Sequence, residues 1–424
     1  MALPPFPAIV ALLAVLYAAL FGYFIWDTAG QMSGYDFLDW IMQYGDGPGD
    51  WPAYLWAPHN EHRIAADRLL IGIDIGLFRG TGLPFVIVRT ILLLAMVSGI
   101  ARQIWRSNIA PPFRTIAIAL LVFTLLPANL VVMCSMPLMG GFVHSTTFAV
   151  FALLLWDNDS RLRQVAALIA ALVAGFGVAG GLFVWPVLVF FAWRSGARSV
   201  QITLLAIAGV AMWAVYLRGL LPHDGLLSLA PSRLLAMLDF VVRFLGLPWS
   251  HATALVWPGR VIGVAVAATG CWLVVSDAFS GRVKPSFERV GLGMIQFALL
   301  VAAAAAVARW NMAPDREIPI RYGMIVALAD AGILLASLRW LGRVLEGRRA
   351  AAAKAAIMLI ATGLLVQQVL VGRAAVAEVG RYRDAWSRFS AGQWTPDMMH
   401  YVYPDRARAE QTLQFLKSRH LYGE

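Results

Sequence analysis

Apolar stretches of about 17–25 residues recur along nearly the whole chain, and no other feature limits its fold so strongly. A stretch of that length crosses a hydrocarbon core of about 30 Å as a helix, with every backbone amide satisfied inside the segment. Barrel strands would show about ten alternating residues, whereas these runs are unbroken. The fold class is therefore all-α, a polytopic helical membrane protein. Its 60% hydrophobic content stands far above the roughly 45–50% of soluble domains.

Eleven spans are predicted, at 6–26, 84–101, 115–134, 144–156, 164–180, 181–194, 200–219, 258–279, 290–309, 321–341 and 355–372. Between them, basic residues cluster in short loops at 102–114, 157–163, 194–198, 282–289 and 343–354. Lys and Arg accumulate in cytoplasmic loops, and each successive pair of these loops is separated by two spans, so all five fall on one side. That arrangement also accounts for the net charge of +10, which in a soluble protein would point to nucleic acid; no nucleic-acid partner is expected here. The segment 64–82 is apolar but carries Asp67, Arg68, Asp74 and Arg79, so it is expected to lie in the interface as a helix. With that choice the N-terminus is cytoplasmic and the first loop, 27–83, is outside. Residues 1–372 then form a multi-span catalytic domain, and 373–424 form an extracytoplasmic tail that packs on the outer mouth. The first span lacks a basic n-region and is expected to be retained. Cys134 and Cys271 show no CxxC spacing and are expected to be packing residues.

Three polar groupings stand out. In the first loop, His59-Asn60-Glu61-His62-Arg63 follows the acidic stretch containing Asp36 and Asp39. Carboxylates near a bilayer suit a general base that takes a proton from an incoming hydroxyl, although solvated caps use the same residues. Asp36, placed among aromatics at the onset of a short helix, is the first choice, with Glu61 and Asp39 behind it. His59 and His62, three apart, are expected to share a helix face. Their spacing is not the HExxH of zinc peptidases and no third ligand is evident, so no bound metal is assigned and a divalent cation is the one cofactor the pattern would accommodate. The second grouping, Asp315-Arg316-Glu317-Ile-Pro-Ile-Arg321-Tyr322, places arginines where a lipid phosphate would sit, since the guanidinium fork stays charged and binds phosphate oxygens in pairs. An internal salt bridge is the plainer role for Arg321, and Arg89 is a weaker candidate of the same type. The third comprises Gly140-Gly141 with His144, and the glycine-rich run 175–181, which permits close helix approach.

This layout resembles the GT-C type of membrane glycosyltransferase: many spans, a long acidic first outer loop with interfacial helices, and an arginine-bearing late outer loop. The resemblance is one of architecture and covers most of the chain; the first loop has no clear DxD or ExD pair, and His-Asn-Glu-His-Arg is not a general signature of that family. It implies an inverting glycosyltransferase in a bacterial-type cytoplasmic membrane, with its active site facing outward. The sugar would pass from a polyprenyl-phosphate-linked donor to a glycan or lipid acceptor, among membrane lipids. By that resemblance Asp36, Asp39 or Glu61 is the catalytic base. Arg316 and Arg321 with Tyr322 hold the lipid phosphate, while His59, Asn60, His62, Arg63 and His144 position substrate. An O-antigen ligase or polymerase, or an acyltransferase using His59 or His62, would share the topology. A transporter would instead gather ionisable groups near the bilayer midplane, where Asp330 is the clearest charge in this chain.

Overall fold

The computed structural model describes residues 5–29, 36–45, 47–60, 62–136, 140–156, 159–220, 231–249, 256–281, 284–309 and 318–422, the side chains of Asp36, Val256 and Asp397 excepted. Glu61 and Arg316 lie outside the described residues, as does the side chain of Asp36.

Among the described residues every regular element is helical. In chain order the helices are α1 (Phe6–Asp27), α2 (Asp36–Tyr44), α3 (Trp51–Trp56), α4 (Ala65–Phe78), α5 (Leu83–Trp105), α6 (Pro111–Leu125), α7 (Leu130–Ser135), α8 (Gly141–Leu155) and α9 (Arg161–Ala174). They continue with α10 (Val184–Arg194), α11 (Ser199–Leu217), α12 (Pro231–Leu245), α13 (Val256–Phe279), α14 (Ser286–Arg309), α15 (Gly323–Glu346), α16 (Ala350–Ser390) and α17 (Arg406–Arg419). Seven of these, α1, α5, α11, α13, α14, α15 and α16, are long and apolar enough to cross a membrane.

Each of the eleven expected segments falls on helix, yet four of them are shorter than a full crossing. The helices α6, α8, α9 and α10 have 15, 15, 14 and 11 residues. Two of the interruptions have a local reason. Pro127 follows α6 and prevents the helix from running on into α7, because proline disfavours helical geometry at the residue before it. Glycines at 175, 177, 180 and 181 separate α9 from α10, and a short 3-10 turn at Ala179–Phe183 fills the gap. The helix α8 is buried along most of its length, whereas α9 buries only alanines and exposes Leu162, Val165, Ile169 and Leu172, so hydropathy alone does not separate a crossing from a buried core helix.

The bundle is built around α14 and α15, whose apolar windows are 61% and 56% buried, against 22% for α11, α13 and α16. Two glycines let the central pair approach closely. A Cβ on Gly291 would come within 2.7 Å of the Gly332 carbonyl oxygen, and one on Gly332 within 2.6 Å of the Gly291 oxygen. The outer helices turn large apolar side chains outward, including Leu12, Val210, Val264 and Leu359. Such continuous apolar exposure would drive a water-soluble monomer to aggregate, and suits helices that face lipid chains.

At the α1 side, Thr28 bonds the Ser135 hydroxyl, tying the end of α1 to the end of α7. The amphipathic helix α12 buries Arg233, Phe240, Arg243 and Phe244, while Leu234, Leu235 and Leu238 stay exposed. Asp239 gathers Arg243 at 2.7 Å and Arg260 of α13 at 3.0 Å, which ties α12 to α13.

Candidate functional site

The first loop is a small folded body. The helices α2, α3 and α4 enclose Phe37, Trp40, Ile41, Leu70 and Ile71, and Phe85 of α5 joins them from the bundle. Leu416 and Leu421 of the C-terminal segment close this core. A second cluster pairs Leu38 with Ala385, Phe389, Met398, Val402 and Ala409. Polar contacts follow the same seam. Asp39 accepts from the Tyr403 hydroxyl at 2.7 Å and from Arg408 Nε at 3.1 Å. Asp74 accepts from the Tyr422 hydroxyl at 2.8 Å and from the Gly82 amide at 3.0 Å. Burial raises the Asp74 carboxyl above the ordinary carboxylate value, and the Tyr422, Gly82 and Thr81 hydrogen bonds act against that shift. Burial and the Asp74 charge likewise push the Tyr422 phenol well above its usual value.

His59 and His62 do not share a helix face. They are the two ends of a tight turn, with His59 N donating to His62 O at 2.8 Å and His62 N donating to His59 O at 2.9 Å. Asn60 heads the turn at a φ of +50°, a left-handed conformation that asparagine accepts more readily than most residues. Pro58, just before His59, disfavours the helical region at Ala57 and so ends α3 there. Each imidazole is then anchored separately: the Trp40 indole donates to His59 Nδ1 at 3.1 Å, and the Ala179 amide donates to His62 Nδ1 at 3.3 Å. Asn60 is exposed at the tip.

Arg63 is committed to holding the chain in place. Its Nε donates to the Tyr216 carbonyl at 2.8 Å, and its remaining nitrogens reach the carbonyls of Trp56 and Arg218. The guanidinium also lies 4.6 Å from the Trp56 ring centroid. Arg68, fully buried, does the same for the Tyr54 and Ala57 carbonyls and for Gln43 at 2.9 Å. Arginine suits this task because its planar fork presents five donors in fixed directions.

The helix α4 is expected from its charges to be a surface helix, and it turns them the other way. Asp67, Arg68 and Asp74 are at most 1% exposed, while Leu69, Leu77 and Phe78 face outward. The decisive partner lies inside the bundle. Asp67 Oδ1 accepts from Arg89 of α5 at 2.9 Å, and His144 Nδ1 of α8 stands 3.5 Å from the same oxygen without completing a hydrogen bond. Arg89 also donates to the carbonyl of Met136 at 2.8 Å and that of Met133 at 3.3 Å. Close packing admits this constellation only because glycines border it. A side chain at Gly140 would overlap the Arg89 guanidinium, and a Cβ on Gly141 would sit 3.0 Å from Asp67 Oδ2 and 2.7 Å from the Gly177 oxygen.

The glycine-rich turn between α9 and α10 closes the site. Ala66 of α4 donates to the Phe176 carbonyl at 3.2 Å, and the Val178 amide donates to Ser145 Oγ at 2.8 Å. Loop one, the start of α8 and the 175–181 turn thus meet at one place. Tyr322 borders it, its ring packed on Phe142 at 5.3 Å and Phe244 at 4.8 Å, with the Arg321 guanidinium 5.9 Å from the Tyr322 centroid. His62, Asp67, His144 and Tyr322 therefore belong to one region, whereas Asp39 is drawn to the C-terminal seam and Arg63 to the end of α11.

No family model, curated protein or solved structure matches this chain. Its function is therefore argued from the site alone. Among the described residues no group of three or more His, Cys, Asp or Glu side chains is arranged to hold a metal ion. The Asp67–Arg89 pair is the feature that sequence reasoning placed least well. A lone arginine inside an apolar span signals a missing counter-charge, but Asp74 is nearer to Arg89 in the sequence than Asp67 is, so separation alone would not have picked the partner.

Proposed function

We propose that the chain is an inverting membrane glycosyltransferase that moves a sugar from a polyprenyl-phosphate donor to a hydroxyl acceptor at the face where loop one folds. The observation that carries the proposal is the folded first loop itself. It is seated on the bundle by the Asp67–Arg89 pair and clamped by the C-terminal segment, and it presents His59, Asn60 and His62 beside α2, which begins at Asp36. A loop whose Arg63 and Arg68 are occupied in fixing carbonyls of the loop and of the end of α11 is rigid, and rigidity is what positioning catalysis requires.

In the proposed reaction a carboxylate, Asp36 or Glu61, takes the acceptor hydroxyl proton. The acceptor oxygen bonds the anomeric carbon as the bond from that carbon to the phosphate oxygen breaks. Polyprenyl phosphate leaves with the electron pair, its charge met by Arg321 and Arg316. Phosphate is a competent leaving group, so positioning and charge stabilisation supply most of the acceleration. Arg321, half-buried beside the Tyr322 ring, fits that role because a guanidinium fork can bond two phosphate oxygens at once.

Protein in nanodiscs should release polyprenyl phosphate from one member of a panel of radiolabelled polyprenyl-phosphate sugars, and Asp36→Asn, Glu61→Gln or Arg321→Ala should abolish that turnover with folding intact. Absence of turnover with every donor, together with lipid or solute flux in liposomes, would establish the transporter reading instead. One observation favours that second reading: Asp330 of α15 lines a cavity beside the interruption between α6 and α7.

A further inference from the structure

Within the bundle, α1, α6, α13, α15 and α16 and the 248–249 segment line a cavity of about 280 Å³. Its polar lining comprises Thr124, Asn129, Asp330, Gln367 and Gln368, with Trp249 beside them. Asp330 lies two turns into α15, about 10 Å along the axis from Gly323, so the cavity is inside a span. Ionisable side chains are rare in such positions and are kept there for a purpose.

The hydrogen bonding of the lining is incomplete in a telling way. Asn129 is 3% exposed, and neither its amide nitrogen nor its oxygen has a partner. Gln368 is fully buried; its nitrogen donates to the Leu126 carbonyl at 3.2 Å while its oxygen has no partner. Gln367 spends its nitrogen on the Pro248 carbonyl at 3.0 Å. Among the described residues no ion pair involves Asp330. Buried polar groups are otherwise paired in the great majority of cases, so these atoms mark a place where a ligand or water completes the bonding.

The chemistry of the ligand follows from what is left over. The cavity offers a carboxylate and amide oxygens as acceptors and an amide nitrogen as donor. A metal cation would satisfy the oxygens and leave the Asn129 nitrogen stranded, and it would need only a small fraction of the volume. Hydroxyl groups both donate and accept, and a ring bearing several of them fits the space and can lie against an indole. Ile262, Ile360, Leu364 and Val371 complete the wall with purely apolar surface. That half of the lining suits an alkyl or isoprenoid chain.

We infer that this cavity binds the hydroxyl-bearing head of a membrane amphiphile, with Asp330, Asn129 and Gln368 holding the hydroxyls and the chain lying along α16. The inference does not rest on the transferase reading, because its test measures binding and not turnover.

The probe is dodecyl β-glucoside carrying a diazirine in its alkyl chain, applied to the full-length protein in nanodiscs. Photolabelling should map to peptides of α6–α7, α15 and α16. Unlabelled dodecyl glucoside should suppress it at least tenfold, dodecanol less, and free glucose or dodecane hardly at all. Competition by glucose as strong as by the glucoside would overturn the membrane origin of the ligand, and equal competition by dodecane would overturn recognition of hydroxyls. Asp330→Leu should reduce labelling about tenfold. Because that change alters packing, the near-isosteric Asp330→Asn, which keeps volume and hydrogen bonding, is measured beside it and should reduce labelling several-fold with melting unchanged. Full labelling of both variants would overturn the assignment.

Discussion

At the end of the bundle where loop one folds, Asp67 and Arg89 are buried and matched; at the other end Asp277 and Glu288 are buried against their own cations, and beside them a group of arginines lines an open vestibule. The two ends are joined by α5, which runs 23 residues, about 34 Å, from Leu83 beside the Asp74 clamp to Trp105. Near its start α5 contributes Arg89, fully buried against Asp67. Near its finish it contributes Arg102 and Arg106, which with Arg163, Arg289 and Asp159 border a cavity of about 970 Å³. The same residue type therefore does opposite work over one helix length. Inside, a guanidinium specifies how two elements dock, because any other arrangement leaves a charge buried alone. Outside, solvated guanidiniums set a field and an orientation in the membrane and add little to stability.

The sharpest way to break this contrast is to remove Arg89. Arg89→Leu leaves Asp67 buried without its partner and frees the carbonyls of Met133 and Met136, so it should cost about 3–5 kcal/mol, read by denaturant unfolding in detergent. The double change Asp67→Leu/Arg89→Leu should recover part of the loss, since apolar replacement of a buried pair is often close to neutral. A single variant that melts like the parent would mean that loop one does not depend on this pair.

An intermediate effect is expected at the C-terminal seam, where the charge is buried but the partner is a phenol. Protonation of Asp74 is favoured in the folded state because its carboxyl is raised by burial. A raised folded value contributes stability that is fully present below the unfolded value, and that contribution is lost as pH rises through the folded one. The seam should therefore hold more tightly in mild acid than at neutrality. Proteolysis of the C-terminal segment, followed across that range, should speed up as pH rises, and Asp74→Asn should flatten the profile. Unchanged pH dependence in Asp74→Asn would assign the effect to another group.

How much of this could be read in the sequence differs between the two ends. The basic clusters of 102–114, 157–163 and 282–289 are legible by composition alone. The helical membrane class was legible for the same reason, since span length and hydropathy are local. What loop one does with its charges was not. Asp67 and Arg68 suggested a surface helix, because four charges in a short segment ordinarily seek water. Their partners lie elsewhere: Arg89 is 22 positions from Asp67, and Tyr403 is 364 positions from Asp39. His59 and His62 invited a helical reading from their spacing, yet Pro58 and a left-handed Asn60 make a turn that the i, i+3 rule does not describe. Short helices such as α9 and α10 were countable as spans by hydropathy, although a buried core helix has the same composition.

The smallest effect is expected where the charges are most numerous. Arg102→Ala and Arg106→Ala remove exposed guanidiniums from the rim of an open vestibule and leave no buried partner, so unfolding should shift by less than about 0.5 kcal/mol for each. Their loss should show instead in insertion. Charges in short loops near span ends bias which side of the membrane a loop occupies, and 102–114 is the first basic loop after the folded loop one. A cysteine placed at Asn60, labelled from one side of sealed vesicles, reads that orientation directly, because Asn60 sits exposed at the tip of its turn. In the parent the label should enter from the side opposite the basic loops. With Arg102 and Arg106 both replaced, a minor fraction should become reactive from the other side, while the labelled molecules melt as the parent does. A large loss of stability with orientation unchanged would mean that the vestibule arginines hold the bundle together as Arg89 does, and the contrast between the two ends would fail.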